Sequence, residues 1–83
     1  MAWSDKPTDN QVFAVQRLVQ WVVSMETEKR MADWLRATAT RKQVSAELER
    51  LHDMYCDHKL TRSNVFDSPI WDGFKRKEQN AGN

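Results

Sequence analysis

Apolar residues between positions 12 and 23 recur with the three- and four-residue spacing of an α-helix, and most of them are valines. Valine also favours strands because its branched Cβ restricts the side chain, but the strict alternation of a strand is absent. Thr8 and Gln11 have the spacing of a capping box, in which each side chain accepts from the backbone amide of the other residue. We therefore predict an extended lead-in over residues 1–7 and a helix over residues 8–24.

Two further helices are predicted after the first. The shorter one covers residues 27–37, with Thr27 as its N-cap. The longer one covers residues 40–58 and begins at a second capping box, formed by Thr40 and Gln43. A core-facing stripe at helical spacing follows this box and comprises Val44, Leu48, Leu51 and Tyr55.

Residues 61–75 combine turn-forming residues with closely spaced apolar side chains. Pro69 suits the first position of a single helical turn, where its missing N–H is tolerated, and Gly73 is expected to end that turn. The apolar residues of this segment are too many for a free tail: Val65, Phe66, Ile70, Trp71 and Phe74. We predict an all-α single domain of three helices, with this segment packed across them and a mobile tail over residues 76–83.

The composition limits the size, the compartment and the partners of the protein. A chain of 83 residues forms one domain. Thirteen Lys and Arg against twelve Asp and Glu leave a formal charge of +1, and no basic stripe of the kind that binds DNA runs through the helices. Cys56 is the only cysteine, which excludes an internal disulfide and favours a reducing compartment. Without a long apolar stretch or a signal-peptide pattern, a cytoplasmic protein with no membrane partner is expected.

The sequence offers little for catalysis or metal binding. His52 and Cys56 lie four residues apart on the third predicted helix and can face the same way. A structural zinc site needs four ligands, however, and one straight helix cannot surround an ion. Catalysis by a Cys–His pair also needs an oxyanion site, which no Gly-rich segment supplies here. We expect neither an enzyme nor a bound metal or other cofactor.

The main candidate for function is a group of side chains on the outer side of the first helix. Phe13, Arg17 and Trp21 follow one another at four-residue intervals, away from the valine face. Trp and Arg are favoured hot-spot residues of protein interfaces. Two interpretations stay open: the C-terminal segment covers the two aromatic rings, or they remain exposed and contact a protein partner. The second interpretation makes the protein a non-catalytic protein-binding or adaptor module.

The two capping boxes and the stripe after the second box resemble a small helical segment of phage and integrative-element proteins. The pattern of that family is Thr-x-x-Gln, followed by Thr-x-x-Glu/Gln-Ala/Val-Ser-x-x-Ile/Leu-x-x-Leu. The matching residues are Thr8, Gln11, Thr40, Gln43, Val44, Ser45, Leu48 and Leu51. The resemblance implies a helical fold and a role as a phage or mobile-element accessory factor, and it supplies no catalytic residues.

DNA binding through the third helix is the alternative function. Residues 44–51 resemble the recognition helix of helix-turn-helix regulators, whose N-terminal end enters the major groove. The residues expected to contact DNA are Arg41, Lys42 and Ser45, with Lys75, Arg76 and Lys77 on the phosphates. Against this, the outward face of the same helix is predicted to carry Glu49, Asp53 and Asp57 beside Arg50, and carboxylates oppose approach to phosphate. A protein partner is therefore the main expectation.

Overall fold

The computed structural model describes the backbone of residues 4–81 and the side chains of residues 4–79. Residues 1–3 of the predicted lead-in and the last two residues of the predicted tail lie outside this part. Its α-helices are α1 (Asp9–Val19), α2 (Met25–Thr38), α3 (Arg41–Cys56) and α4 (Asp72–Ala81). Two 3₁₀ turns, Asn64–Phe66 and Pro69–Trp71, precede α4. The described residues form no strand, so the predicted all-α class is confirmed.

Both predicted capping boxes are present. The Thr8 hydroxyl accepts from the amide of Gln11 at 3.1 Å, and the amide of Thr8 donates to the Gln11 side chain at 3.0 Å. Thr40 and Gln43 make the same reciprocal pair at 3.3 and 2.8 Å. Each box satisfies amides that have no partner inside the helix, and it thereby defines the first residue of α1 and of α3.

Helix α1 ends at Val19 and not at the predicted residue 24. The amides of Val22 and Val23 both donate to the Val19 carbonyl, at 2.9 and 3.0 Å, before the chain turns into α2. Both valines pack against the core, which keeps the connection short and brings Ser24 to the start of α2. Ser24 accepts from the amide of Thr27 at 3.2 Å, so the prediction of Thr27 as the N-cap is wrong.

Helix α3 ends at Cys56, two residues before the predicted end, because the chain enters the left-handed region at His58 (φ 57°). The His58 amide donates to the Tyr55 carbonyl at 3.1 Å, and the Lys59 amide donates to the Met54 carbonyl at 2.8 Å. These two bonds are those of a Schellman motif, which satisfies the last carbonyls of a helix. Here a histidine occupies the left-handed position that glycine usually takes.

The core lies where α1 packs against α2 and α3. Its largest fully buried side chains are Val12, Val15, Val19, Met31, Leu35, Val44, Leu51, Val65 and Trp71. The predicted stripe of α3 is only partly confirmed, since Leu48 is half-buried and Tyr55 is 42% exposed. The starts of α1 and α3 lie side by side, as Gln11 Nε2 donates to the Arg41 carbonyl at 3.4 Å. Because α3 is the longer helix, its last turn extends past α1 and leaves Tyr55 uncovered.

The C-terminal segment packs across the helices, as predicted. Phe66, Trp71 and Phe74 form an aromatic cluster with Trp34 of α2, with ring centroids 5.6–6.1 Å apart. The Trp34 indole also donates to the Ile70 carbonyl at 3.0 Å. Edge-to-face and stacked aromatic pairs stabilise such contacts beyond the burial of their area.

Gly73 does not end the second 3₁₀ turn, which runs directly into α4. A Cβ at Gly73 would lie 2.8 Å from the Trp34 ring, so glycine permits the close approach of α4 to α2. Residues 76–81, which the sequence assigned to a mobile tail, are helical and belong to α4. An ion pair of 2.7 Å between Glu78 and Arg30 of α2 stabilises this helix against its neighbour.

A buried ion pair joins α3 to the C-terminal segment. Glu47 is 3% exposed and accepts from Arg50 at 2.9 and 2.7 Å and from the Trp71 indole N–H. Arg50 also donates to the carbonyls of Asn64 and Val65, at 3.0 and 2.7 Å. The prediction that Arg50 lies on the outward face of α3 is therefore wrong, because these carbonyls and Glu47 draw its guanidinium inward.

Candidate functional site: an exposed aromatic surface

The predicted partner-binding residues lie on the outer side of α1 and in the turn after it, and the C-terminal segment leaves their rings uncovered. Phe13 is 58% exposed, Trp21 is 68% exposed, and Arg17 between them is also exposed. The interpretation that the C-terminal segment covers the two rings is wrong. That segment packs on Trp34 of α2 instead, where it forms the aromatic cluster.

The segment around these residues is nearly free of charge. Residues 10–25 contain a single ionisable side chain, Arg17, although 30% of the chain is charged. A solvated helix face normally carries several charged residues. Depletion of charge together with aromatic residues, Met and Arg is instead the composition of protein interfaces. Met25 at the end of the segment is 71% exposed and extends this composition.

Tyr55, the exposed residue of the last turn of α3, adds a second element to the surface. It lines a depression of ≈ 260 Å³ whose residues are Trp21, Val22, Tyr55, His58 and Leu60. A second depression of ≈ 390 Å³ is lined by Asn10, Phe13, Ala14 and Arg17. We call Phe13, Arg17, Trp21 and Tyr55 together the aromatic surface. Sequence reasoning missed Tyr55, because its spacing matched the core stripe of α3.

The DNA-binding alternative uses residues at the start of α3. The lead-in of the chain contacts the first of them, Arg41. The Arg41 amide donates to the Asp5 carbonyl at 2.7 Å, and the Arg41 guanidinium donates to the Lys6 carbonyl at 3.5 Å. Ser45 is half-buried, and Lys42 is exposed. The lead-in thus lies against the helix end that a recognition helix would insert into the major groove.

The second basic group, Lys75 to Lys77, lies on α4 and is exposed. Lys75 is 3.6 Å from Asp72, and Lys77 lines a groove between α2 and α4 that also contains Asp33 and Glu78. Carboxylates therefore lie near Lys75 and Lys77. A site that neutralises DNA phosphates needs cations without such neighbours, because release of counterions supplies most of the affinity.

His52 and Cys56 lie close together, with 3.7 Å between Cys56 Sγ and His52 Nε2, and both side chains are exposed. Within the described residues, no group of three or more His, Cys, Asp or Glu side chains is arranged to hold a metal ion. The pair is thus a thiol–imidazole contact on an open helix face, where water reaches both groups.

The aromatic surface offers the chemistry of binding. Phe13 and Trp21 present apolar rings, and the Arg17 guanidinium presents five N–H donors that suit a carboxylate.

Among the helices of residues 4–81, none has the length and apolar character needed to cross a membrane. No protein-family model, curated protein or solved structure matches the chain.

Proposed function

We propose that the protein is a non-catalytic protein-binding module that contacts its partner through the aromatic surface. The observation that carries the proposal is the exposure of Phe13 (58%) and Trp21 (68%) before and after Arg17, the one charged residue of residues 10–25. The domain has a packed aromatic cluster elsewhere, so it is able to bury rings and leaves these two outside. Large apolar side chains exposed together mark interaction sites in folded proteins.

Burial of the two rings would supply a useful part of the binding energy. A Trp or Phe side chain buries about 150–250 Å² in full, so the exposed fractions leave roughly 100–170 Å² on each ring. At about 25 cal/mol per Å², the pair contributes about 5–8 kcal/mol. Association itself costs about 4–15 kcal/mol. The two rings therefore serve as anchors, and the rest of a standard interface must provide the surplus.

The proposal also covers the biological context and the cell compartment of the protein. The resemblance of the two capping boxes and the Val44–Leu51 stripe to phage and integrative-element proteins supports a role as a phage or mobile-element accessory factor. The exposed, unpaired thiol of Cys56 supports a reducing, cytoplasmic compartment.

The DNA-binding alternative is less well supported by the charges of the described residues. The exposed residues of α3 include Glu49 and Asp53, and Asp57 directly after its end is exposed too. Arg50, which would have offset them, points into the buried ion pair with Glu47. A duplex approaching this helix would meet three carboxylates, which lowers the affinity for phosphate.

The test compares two double variants of the full chain. Proteins recovered from the source cells on immobilised wild type should be lost on Phe13→Ala/Trp21→Ala, because the anchors are removed. They should be retained on Arg41→Ala/Lys42→Ala, the matched control. Thermal melts should show both variants folded. The ring variant should match the wild type because both rings lie outside the core, and the Arg41/Lys42 variant should melt slightly earlier because the guanidinium bond to the Lys6 carbonyl is lost. Submicromolar binding of duplex DNA at physiological salt, abolished in the Arg41/Lys42 variant, would establish the DNA-binding alternative instead.

A further inference from the structure

We infer that the partner of the aromatic surface presents an amphipathic helix in which a carboxylate is flanked on both sides by apolar side chains. This inference rests on the proposed function. It starts from Arg17, which makes no ion pair with any described residue and is the only ionisable side chain of residues 10–25. The surface therefore combines apolar rings with one uncompensated positive charge.

Two other arginines of the domain have their positive charge paired with a carboxylate. Arg30 pairs with Glu78 at 2.7 Å, and Arg50 pairs with Glu47 at 2.7 Å. Arg17 lies instead beside uncharged residues. Burying Phe13 and Trp21 against a partner would also remove Arg17 from water, and an unpaired buried charge is costly. A carboxylate from the partner removes that cost, because it accepts from the guanidinium in a bidentate pair.

The distances between Phe13, Arg17 and Trp21 indicate how far apart the contacting side chains of the partner should be. Phe13 lies four residues before Arg17 on α1, and Trp21 lies four residues after it, in the turn that follows α1. Four residues of helix rise about 6 Å. The ≈ 390 Å³ depression beside Phe13 and the ≈ 260 Å³ depression beside Trp21 can each admit an apolar side chain. A helix with the pattern apolar-x-x-x-acidic-x-x-x-apolar has the same spacing.

A second copy of the chain fits this surface poorly. A two-fold dimer that buries both Phe13 and Trp21 places its axis at Arg17, midway between them. The Arg17 residues of the two copies would then face each other, and like charges across an interface are unfavourable. This two-fold arrangement is therefore unfavourable, and we infer a different chain as the occupant.

The test selects a displayed library of helical peptides on the intact wild-type protein, with randomised outward positions. Peptides that bind wild type but not Phe13→Ala/Trp21→Ala are sequenced. We expect Asp or Glu at the central position with apolar residues four positions away on both sides. Arg17→Ala should weaken the binding of these peptides about tenfold or more, and Arg17→Lys should weaken it less. Selection on Arg17→Glu should favour Lys or Arg at the central position.

The remaining outcomes separate this inference from the proposed function. If the selected peptides need Phe13 and Trp21 but bind Arg17→Ala and Arg17→Glu as tightly as wild type, the acidic partner is wrong and the binding surface stands. If no selected peptide depends on the two rings, both this inference and the proposed function are wrong. Self-association of wild type in sedimentation velocity, lost in the ring variant, would make a second copy the occupant and overturn the inference.

Discussion

Replacement of Glu47 by alanine removes the centre of the ion pair that joins α3 to the C-terminal segment. The Glu47 carboxylate is 3% exposed and accepts two bonds from Arg50 and one from the Trp71 indole. Without it, the Arg50 guanidinium keeps only the two carbonyls of the segment, and the Trp71 N–H stays in the core with no acceptor. We expect the free energy of unfolding to fall by about 3–5 kcal/mol.

The magnitude follows from the burial of each group. Breaking a buried ion pair costs about 3–5 kcal/mol, but the Arg50 side chain is 27% exposed, and water recovers part of that loss. An unsatisfied buried donor costs about 1–3 kcal/mol, and Trp71 is fully buried. A domain of this length is stable by about 4–12 kcal/mol. At the lower end of this range, the variant is close to unfolding at room temperature.

Urea unfolding followed by circular dichroism and by Trp fluorescence measures the effect. Glu47→Gln keeps an oxygen acceptor at this site and should lose less stability than Glu47→Ala, so it remains measurable if the alanine variant does not fold. Glu49→Ala is the matched control on the same helix, where an exposed side chain should change stability by about 0.5 kcal/mol at most. If Glu47→Ala unfolds within about 1 kcal/mol of wild type, the network does not stabilise the fold as argued.

Two further predictions concern the C-terminal segment. Gly73→Ala should destabilise the domain by about 1–3 kcal/mol despite the higher helix propensity of alanine, because its Cβ would lie 2.8 Å from the Trp34 ring; a midpoint of unfolding equal to or above that of wild type would contradict this. Truncation after Leu60 removes Val65, Trp71 and Phe74 from the core, and residues 1–60 should give a broad melt and bind a hydrophobic dye. Dispersed amide signals and a cooperative melt of residues 1–60 would show that the three helices fold without the segment.

Local signals in the sequence were enough to predict where α1 and α3 begin. A capping box is completed within four residues, so its hydrogen bonds depend on nothing outside the segment. The same holds for the position of Phe13 and Arg17 on α1, which follows from helical geometry once the helix is given. The end of α1 and the start of α2 were not predictable in this way, because Ser24 and Thr27 both qualify as caps, and only the packing of Val22 and Val23 against the core selects Ser24.

Contacts between distant segments decided the remaining features. On a helical wheel Arg50 belongs to the outer side of α3, and Glu47 has no visible reason to be buried. The carbonyls of Asn64 and Val65 and the indole of Trp71 supply that reason. The exposure of the aromatic surface was also undetermined by the sequence, which contained enough apolar C-terminal residues to cover either α1 or α2. The segment packs on α2 because Gly73 admits the Trp34 ring there, and the rings of Phe13 and Trp21 stay open as a physical consequence.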